Sequence, residues 1–269
     1  MLDILGMSQN IKTKEDLIYS IDKYSKLILE SQKTSYNPPT IKGSKEAALP
    51  NFEFFQFVFD TIVIVSREIN PQNVSNFLLG LISLMETFFI ADYPLRGSIS
   101  KGSFIYEEDT NIFLSEIFKK LNNFEKIQEW TGCIILEDTI DIILENSLSK
   151  KKIWPNLKRA NIIHLYDIPF KNNESKLLPC LNWSYMLSKS QVSKGMKYLE
   201  NNLEKYYFTK KYLEYISSLE EDSSSLPKEF LPAVEMKTIK TRGNCRIVFK
   251  NEMGENCKPG SDNWSIFLK

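Results

Sequence analysis

The amino-acid sequence predicts an α+β protein built on one sheet, and three observations lead to that fold class. Segments with apolar residues at helical spacing alternate along the chain with short runs rich in β-branched and aromatic residues. About 42% of the 269 residues are hydrophobic and 12% are aromatic, which is enough for a sizeable core. The chain has only 10 glycines and 11 prolines, so a low-complexity chain is excluded.

The N-terminal third of the chain predicts three strands and two helices. The bounds are a strand at 1–7, a helix at 16–29, a proline-containing loop at 33–50, strands at 51–59 and 61–65, and a helix from 71 to about 91. The run at 61–65 is almost wholly β-branched, and Asp60 separates it from the aromatic-rich run before it, which is typical of two joined strands. Pro71 follows Asn70 and marks the first position of a helix.

The rest of the chain continues the alternation. The predicted elements are a strand at 95–106, a helix at 113–129, a strand at 133–136, a helix at 139–148, strands at 161–171 and 177–183, and a long amphipathic helix at 191–219. An acidic, serine-rich stretch at 220–225 is the best linker in the chain. The tail at 233–269 is expected to hold a hairpin around 251–254.

Charge and rare residue types exclude several classes of function. The 34 basic and 34 acidic residues cancel, which argues against a general nucleic-acid-binding protein, although a local basic patch is still allowed. His164 is the only histidine, so multi-histidine metal sites are excluded, and we expect a half-buried strand residue there. The four cysteines include no CxxC pair and are interpreted as reduced thiols of a cytoplasmic protein.

No stretch of the sequence suggests a membrane helix, which needs about 18 uninterrupted apolar residues. The nearest candidate is 77–90, and Glu86 interrupts it. A helix buried in the core is the better interpretation, and we expect no membrane partner. Trp130 and Trp183 are likewise expected to be core or interface anchors.

Asp3 and Asp60 are the two residues that suggest chemistry. Each lies within a strongly apolar, strand-like stretch, where a carboxylate is costly unless it is paired, hydrogen-bonded or bound to a metal. A single aspartate of this kind is most often an ordinary turn residue. Two of them at the ends of neighbouring strands suggest a divalent cation site, because Mg²⁺ is typically held by one or two carboxylates and substrate phosphates. Both interpretations stay open at this point.

Five segments of the chain, taken in order, resemble one known family. They are LDILG at 2–6, FDTIVI at 59–64, LRGSISKG at 95–102, WTG at 130–132 before a short apolar strand, and YDIPFK at 166–171 followed by LNW at 181–183. Together they resemble the class III nucleotidyl cyclase catalytic domain, in the divergent bacterial branch that includes the anti-phage pyrimidine cyclases. The resemblance covers roughly residues 1–185.

The resemblance implies a ferredoxin-like, palm-type domain with a mixed, mostly antiparallel sheet and helices packed on it. It implies that Asp3 and Asp60 hold two Mg²⁺ or Mn²⁺ ions, and that the backbone of Ile4, Leu5 and Gly6 cradles the triphosphate of a nucleoside triphosphate. The ribose 3′-hydroxyl would attack the α-phosphorus, releasing pyrophosphate and a 3′,5′-cyclic nucleotide. The family's active site forms between two catalytic domains, which implies a homodimer.

Several positions depart from the family pattern. Gln56 stands at the first base-reading position and Ile112 at the second. Lys119 and Asn123 stand where the family has an Asn and an Arg that stabilise the transition state, and Arg96 is a further candidate to supply positive charge. The alternative function is therefore a catalytically degenerate cyclase-fold module that binds a nucleotide or another protein.

The sequence also predicts a division into three parts. Residues 1–185 would form the cyclase-like domain, and residues 186–222 a long helix that packs on it or on a partner. Residues 223–269 would form a linker and a small β-rich tail.

Overall fold

The computed structural model describes residues 1–5, 12–34, 52–148, 162–223, 239–241 and 244–246. Two compact units are present: Met1–Tyr36 with Pro50–Leu219, and Asn37–Leu49 with Glu220–Lys269. Within the second unit, the described strands β10 (Ile239–Thr241) and β11 (Asn244–Arg246) form an antiparallel pair.

The first unit contains nine strands and six α-helices among its described residues. The strands are β1 (Leu2–Ile4), β2 (Phe54–Val58), β3 (Thr61–Val65), β4 (Leu95–Ile99), β5 (Ile105–Glu107), β6 (Ile112–Leu114), β7 (Gly132–Ile135), β8 (Ile163–Phe170) and β9 (Glu174–Leu181). The helices are α1 (Lys14–Thr34), α2 (Pro71–Ile90), α3 (Phe118–Ile127), α4 (Glu137–Leu148), α5 (Lys189–Leu199) and α6 (Leu203–Ser223).

The central sheet has seven strands in the order β2-β3-β1-β4-β7-β9-β8. Every neighbouring pair is antiparallel except β4 with β7, which are parallel. The α+β class with a mixed, mostly antiparallel sheet is therefore confirmed. In chain order, β1 to β4 and the two helices between them form a β-α-β-β-α-β unit that supplies four adjacent strands.

The two faces of this sheet differ in chemistry at its centre. Leu2 and Ile4 lie on one face of β1 and belong to the main buried cluster, together with Ile82 of α2. Asp3 points to the opposite face, where it pairs with Arg96 of β4. The polar pair therefore lies on the second face, opposite the side chains of Leu2 and Ile4.

Two helices cover that second face. Ser98, which shares the face with Arg96, donates a hydrogen bond from Oγ to the Leu121 carbonyl of α3 at 3.1 Å. Tyr212 of α6 packs against Trp130 and Tyr166, with ring centroids 4.6 and 5.1 Å apart. The face that carries the charged pair is thus covered by α3 and α6.

The segment 95–129 differs from its prediction. The predicted strand at 95–106 ends at Ile99, and the predicted helix at 113–129 begins only at Phe118. Between them lies the β5–β6 hairpin, whose turn ends at Asn111 with a left-handed φ of 54°. Phe113 points inward onto Phe54, with ring centroids 5.2 Å apart, and this aromatic contact stabilises the strand over the helix.

The predicted long helix at 191–219 is also interrupted, because α5 ends at Leu199 and α6 begins at Leu203. Asn202 caps the second helix, accepting the Lys205 N–H on Oδ1 at 3.2 Å. The predicted linker at 220–225 overlaps the end of α6, which reaches Ser223. The hairpin predicted around 251–254 lies outside the described residues.

Several other sequence predictions are confirmed. The strand at 61–65 and the helix starting at Pro71 have the predicted bounds, and Asn70 caps that helix by accepting the Asn73 N–H at 2.9 Å. Trp130 and Trp183 are fully buried, and His164 is a half-buried residue of β8. Among the described helices, none is long and apolar enough to cross a membrane.

Candidate functional site

Asp3 lies on β1 and Asp60 lies in the turn before the adjacent strand β3, so both are at the same end of these strands and at one edge of the central sheet. Asp3 pairs with Thr61 across β1 and β3, and Asp60 immediately precedes Thr61 in the two-residue β2–β3 turn. The Ile4 N–H donates to the Asp60 carbonyl at 2.8 Å, which fastens the turn to the end of β1. Phe59 has a left-handed φ of 63°, as the first position of a tight hairpin turn requires.

Arg96 is the centre of a buried network beside these carboxylates. Its Nη2 donates to Asp3 Oδ2 at 3.1 Å and lies 3.3 Å from Glu125 Oε1. Its Nη1 donates to the Gln128 carbonyl at 2.8 Å. Only 7% of the Arg96 side chain is exposed, so the guanidinium is held between β1 and α3 with little access to water.

The network favours protonation of its carboxyl groups. The pKa of Asp3 is raised from 3.8 to about 7, first by burial and then by the negative charge of Glu125, and Arg96 acts in the opposite direction. Burial also raises the pKa of Glu125, again against the effect of Arg96, and the nearby charge of Asp60 raises it further. Asp3 and Glu125 thus share one guanidinium, and Asp60 adds negative charge nearby, so full ionisation of the three groups leaves uncompensated negative charge.

Helix α6 brings a lysine to the same end of the sheet. The Thr131 N–H donates to Thr209 Oγ1 at 3.0 Å, which fixes α6 against the residues before β7. Lys205 lies one turn earlier on that helical face and is half-buried. Burial lowers the pKa of Lys205, as does the positive charge of Arg96, while Glu129 raises it. Lys205 therefore lies within electrostatic range of Arg96, Glu129 and Asp3.

Glu125, Gln128 and Lys205 were not predicted as site residues. A signal for Glu125 is its position one turn after Leu121 on the buried face of an amphipathic helix. The signal for Lys205 is its spacing from Thr209, four residues later on the buried face of α6. Gln128 contributes through its backbone carbonyl, for which the sequence gives no signal.

Two of the backbone amides predicted to cradle a triphosphate already donate hydrogen bonds within the protein. The Ile4 N–H is bonded to Asp60, and the Leu5 N–H donates to the Pro94 carbonyl at 3.0 Å. Both amides are therefore already used in holding the sheet edge together. Gly6 lies outside the described residues.

The structure does not bring the other predicted residues to Asp3 within one chain. Lys119 and Asn123 are exposed residues of α3, on the side of the helix opposite Glu125. Gln56 lies on β2, where its Nε2 donates to the Phe57 carbonyl at 3.4 Å. Ile112 is 54% exposed on β6.

The donor chemistry at this edge suits a hard divalent cation, because carboxylate oxygens are the ligands that Mg²⁺ and Mn²⁺ prefer. Within the described parts of the chain, no group of three or more His, Cys, Asp or Glu side chains is arranged to hold a metal ion. One oxygen of Asp3 is engaged by Arg96. Asp3 and Asp60 are therefore the candidate metal ligands, and they suit a divalent cation by their oxygen donors and their negative charge.

The fold and the site together define an α+β protein with buried carboxylates beside an arginine at one sheet edge. Comparison of the chain with protein-family models, curated proteins and solved structures finds no match in any of the three.

Proposed function

We propose that this protein is a class III-like nucleotidyl cyclase that converts a nucleoside triphosphate into a 3′,5′-cyclic nucleotide and pyrophosphate as a homodimer. The observation that carries the proposal is the meeting of Asp3 and Asp60 at one edge of β1 and β3. These strands belong to a β-α-β-β-α-β unit with strand order β2-β3-β1-β4, which matches the ferredoxin-like arrangement that the sequence resemblance implies.

Charge balance supports a divalent cation at this edge. Asp3 and Glu125 contact Arg96, and Asp60 adds a third carboxylate nearby, so full ionisation leaves an excess of one negative charge even when Lys205 is counted with Arg96. A bound Mg²⁺ or Mn²⁺ would neutralise that excess, and the negative charge of a triphosphate supports a second ion. When bound, these ions would activate the ribose 3′-hydroxyl and stabilise the departing pyrophosphate.

The other charged residues have distinct proposed tasks. Arg96 holds Asp3 in position through the 3.1 Å contact and limits the repulsion between Asp3 and Glu125. Lys205 of α6 lies within electrostatic range of this network in the same chain, so it supplies positive charge for the phosphates.

The exposed side of α3 supports a dimeric site. Lys119 and Asn123 face away from Glu125 and therefore from the carboxylates of their own chain. They can act in catalysis only on a substrate held by a second copy of the protein. We therefore propose that each active site takes Asp3 and Asp60 from one subunit, and Lys119 and Asn123 from the other.

A second candidate function is a nucleotide-binding module without turnover. Two contacts favour it: Arg96 occupies an oxygen of Asp3, and the Ile4 and Leu5 amides are already hydrogen-bonded. In that case the protein would bind a metal–nucleotide complex and release no pyrophosphate.

The test is pyrophosphate release from purified protein with Mn²⁺ and each of the four ribonucleoside triphosphates, with an active cyclase as the positive control. Asp60→Asn should abolish release because it removes a metal ligand. Asp92→Asn is a matched control: Asp92 also lies in a turn, and its left-handed φ of 72° suits asparagine. Asp92→Asn should keep full activity.

Three outcomes separate the proposals. Cyclic nucleotide formation that is lost only in Asp60→Asn supports the cyclase. Tight Mn²⁺-dependent binding of a non-hydrolysable triphosphate without pyrophosphate release supports the binding module. Turnover that survives Asp60→Asn refutes the assignment of this edge as the metal site.

A further inference from the structure

A cavity of about 140 Å³ lies at the other end of the central strands, away from Asp3 and Asp60. The ends of β3 and β4 contribute to it, together with α2, α3 and α4. Its walls include Leu81, Leu121 and Ile143, each at most 5% exposed. The interior is therefore an apolar space built by the core of the first unit.

The rim of the cavity is polar and carries a cation. Lys101 lies on the rim, and its backbone N–H donates to Thr139 Oγ1 at 2.8 Å, which fixes this segment to α4. The Ser100 hydroxyl, also on the rim, donates to Asp138 Oδ1 at 3.3 Å. Asp138 is itself paired with Lys120 at 2.6 Å. Lys101 thus adds a positive charge to a rim whose carboxylate, Asp138, is already paired with Lys120.

The start of α3 adds to the positive character of this rim. Ile117 and Phe118 line the cavity at the first turn of that helix. Ile117 occupies the N-cap position, where no side chain accepts a hydrogen bond from the helix amides. The Phe118 N–H already donates to the Ser115 carbonyl at 3.4 Å, and the partial positive charge of the helix N-terminus is what favours an anion here.

We propose that this cavity binds a small monocarboxylate whose compact apolar body is about the size of a benzene ring. The body would occupy the apolar interior, and the carboxylate would lie at the rim, between Lys101 and the first turn of α3. The volume supports this size, because an apolar protein cavity of about 150 Å³ accommodates benzene. The site does not depend on the cyclase proposal, since it lies at the opposite end of the strands.

Ligand-detected NMR and calorimetry on the full chain test the proposal with three probes. Benzoate has both the ring and the charge, benzyl alcohol has the ring with a neutral head, and acetate has the charge without the ring. We expect benzoate to bind best, benzyl alcohol about tenfold more weakly, and acetate not at all at millimolar concentrations. No benzoate binding in this range would overturn the proposal.

Matched variants locate the binding. Leu81→Phe narrows the cavity and should weaken benzoate binding at least tenfold, whereas Leu84→Phe places the same change at a buried position of α2 outside the cavity. Lys101→Gln should weaken benzoate but not benzyl alcohol, and the exposed Lys126→Gln should change neither. Equal affinity in Leu81→Phe and Leu84→Phe, or an unchanged preference for benzoate in Lys101→Gln, would contradict the assignment.

Discussion

Glu86 is a carboxylate in the middle of the apolar helix α2. It is only 6% exposed, and the Met186 N–H donates to its Oε1 at 2.6 Å. Burial raises the pKa of Glu86 from 4.5 to about 7, against the lowering effect of that hydrogen bond. The folded protein therefore holds a proton on Glu86 in a pH range where the unfolded chain has released it.

This difference makes stability depend on pH in a defined direction. Between about pH 4.5 and pH 7 the folded state binds more protons at Glu86, so the free energy of unfolding falls as pH rises. A pKa shift of this size corresponds to about 3 kcal/mol at full deprotonation. The stabilisation is fully present below the pKa of Glu86 in the unfolded chain, and it is lost as the pH rises through the pKa of Glu86 in the folded protein.

Glu86→Gln isolates the effect because glutamine keeps an acceptor oxygen and does not ionise. We expect its stability relative to wild type to increase by about 3 kcal/mol from about pH 4.5 to about pH 8. Urea unfolding of both proteins across this range provides the measurement, and any constant packing cost of glutamine cancels in the pH trend. Glu107→Gln, an exposed position, is the control. A stability difference that does not change with pH would refute the reasoning.

Three further variants test the fold and the Arg96 network by thermal or urea unfolding. Gly97→Ala would place Cβ 2.5 Å from the Leu2 Cδ2, so we expect a loss of about 1–3 kcal/mol, and an unchanged unfolding midpoint would contradict the close strand packing. Ser188→Ala removes the capping box of α5 and should cost about 1 kcal/mol, whereas Ser190→Ala should cost less. Arg96→Met should cost about 3–5 kcal/mol at alkaline pH and less at acidic pH, because its partner carboxyls are then neutral. A loss that is independent of pH would contradict this role for Arg96.

Local patterns were sufficient to predict the elements that determine the sheet edge. The β-branched run 61–65 and the Asn70–Pro71 helix start each depend on neighbouring residues only. The position of Asp60 in a tight turn follows from the two runs that flank it. The sequence suggests that Asp3 and Asp60 lie at the ends of neighbouring strands. The pairing of Asp3 with Thr61 confirms that β1 and β3 are neighbours.

The partners of Asp3 were not predictable, because they depend on tertiary packing. Arg96 and Glu125 are 29 residues apart and meet only because α3 packs across β4. The β5–β6 hairpin was not predictable for the same reason. In the sequence, Phe113 fits the apolar spacing of a helix, and only its contact with Phe54 in the folded protein shows that it belongs to a strand. A short apolar run fits either a strand or a helix, and here the long-range aromatic contact decides between them.

The proposed composite site can be tested most directly by mixing two inactive variants. Asp60→Asn lacks a proposed metal ligand, and Lys119→Ala lacks the charge supplied to the partner subunit. In a mixed dimer, one site combines both defects and the other is intact. Random exchange of subunits should therefore restore about a quarter of the wild-type pyrophosphate release. No recovery after confirmed subunit exchange would contradict a catalytic site shared between two copies of the chain.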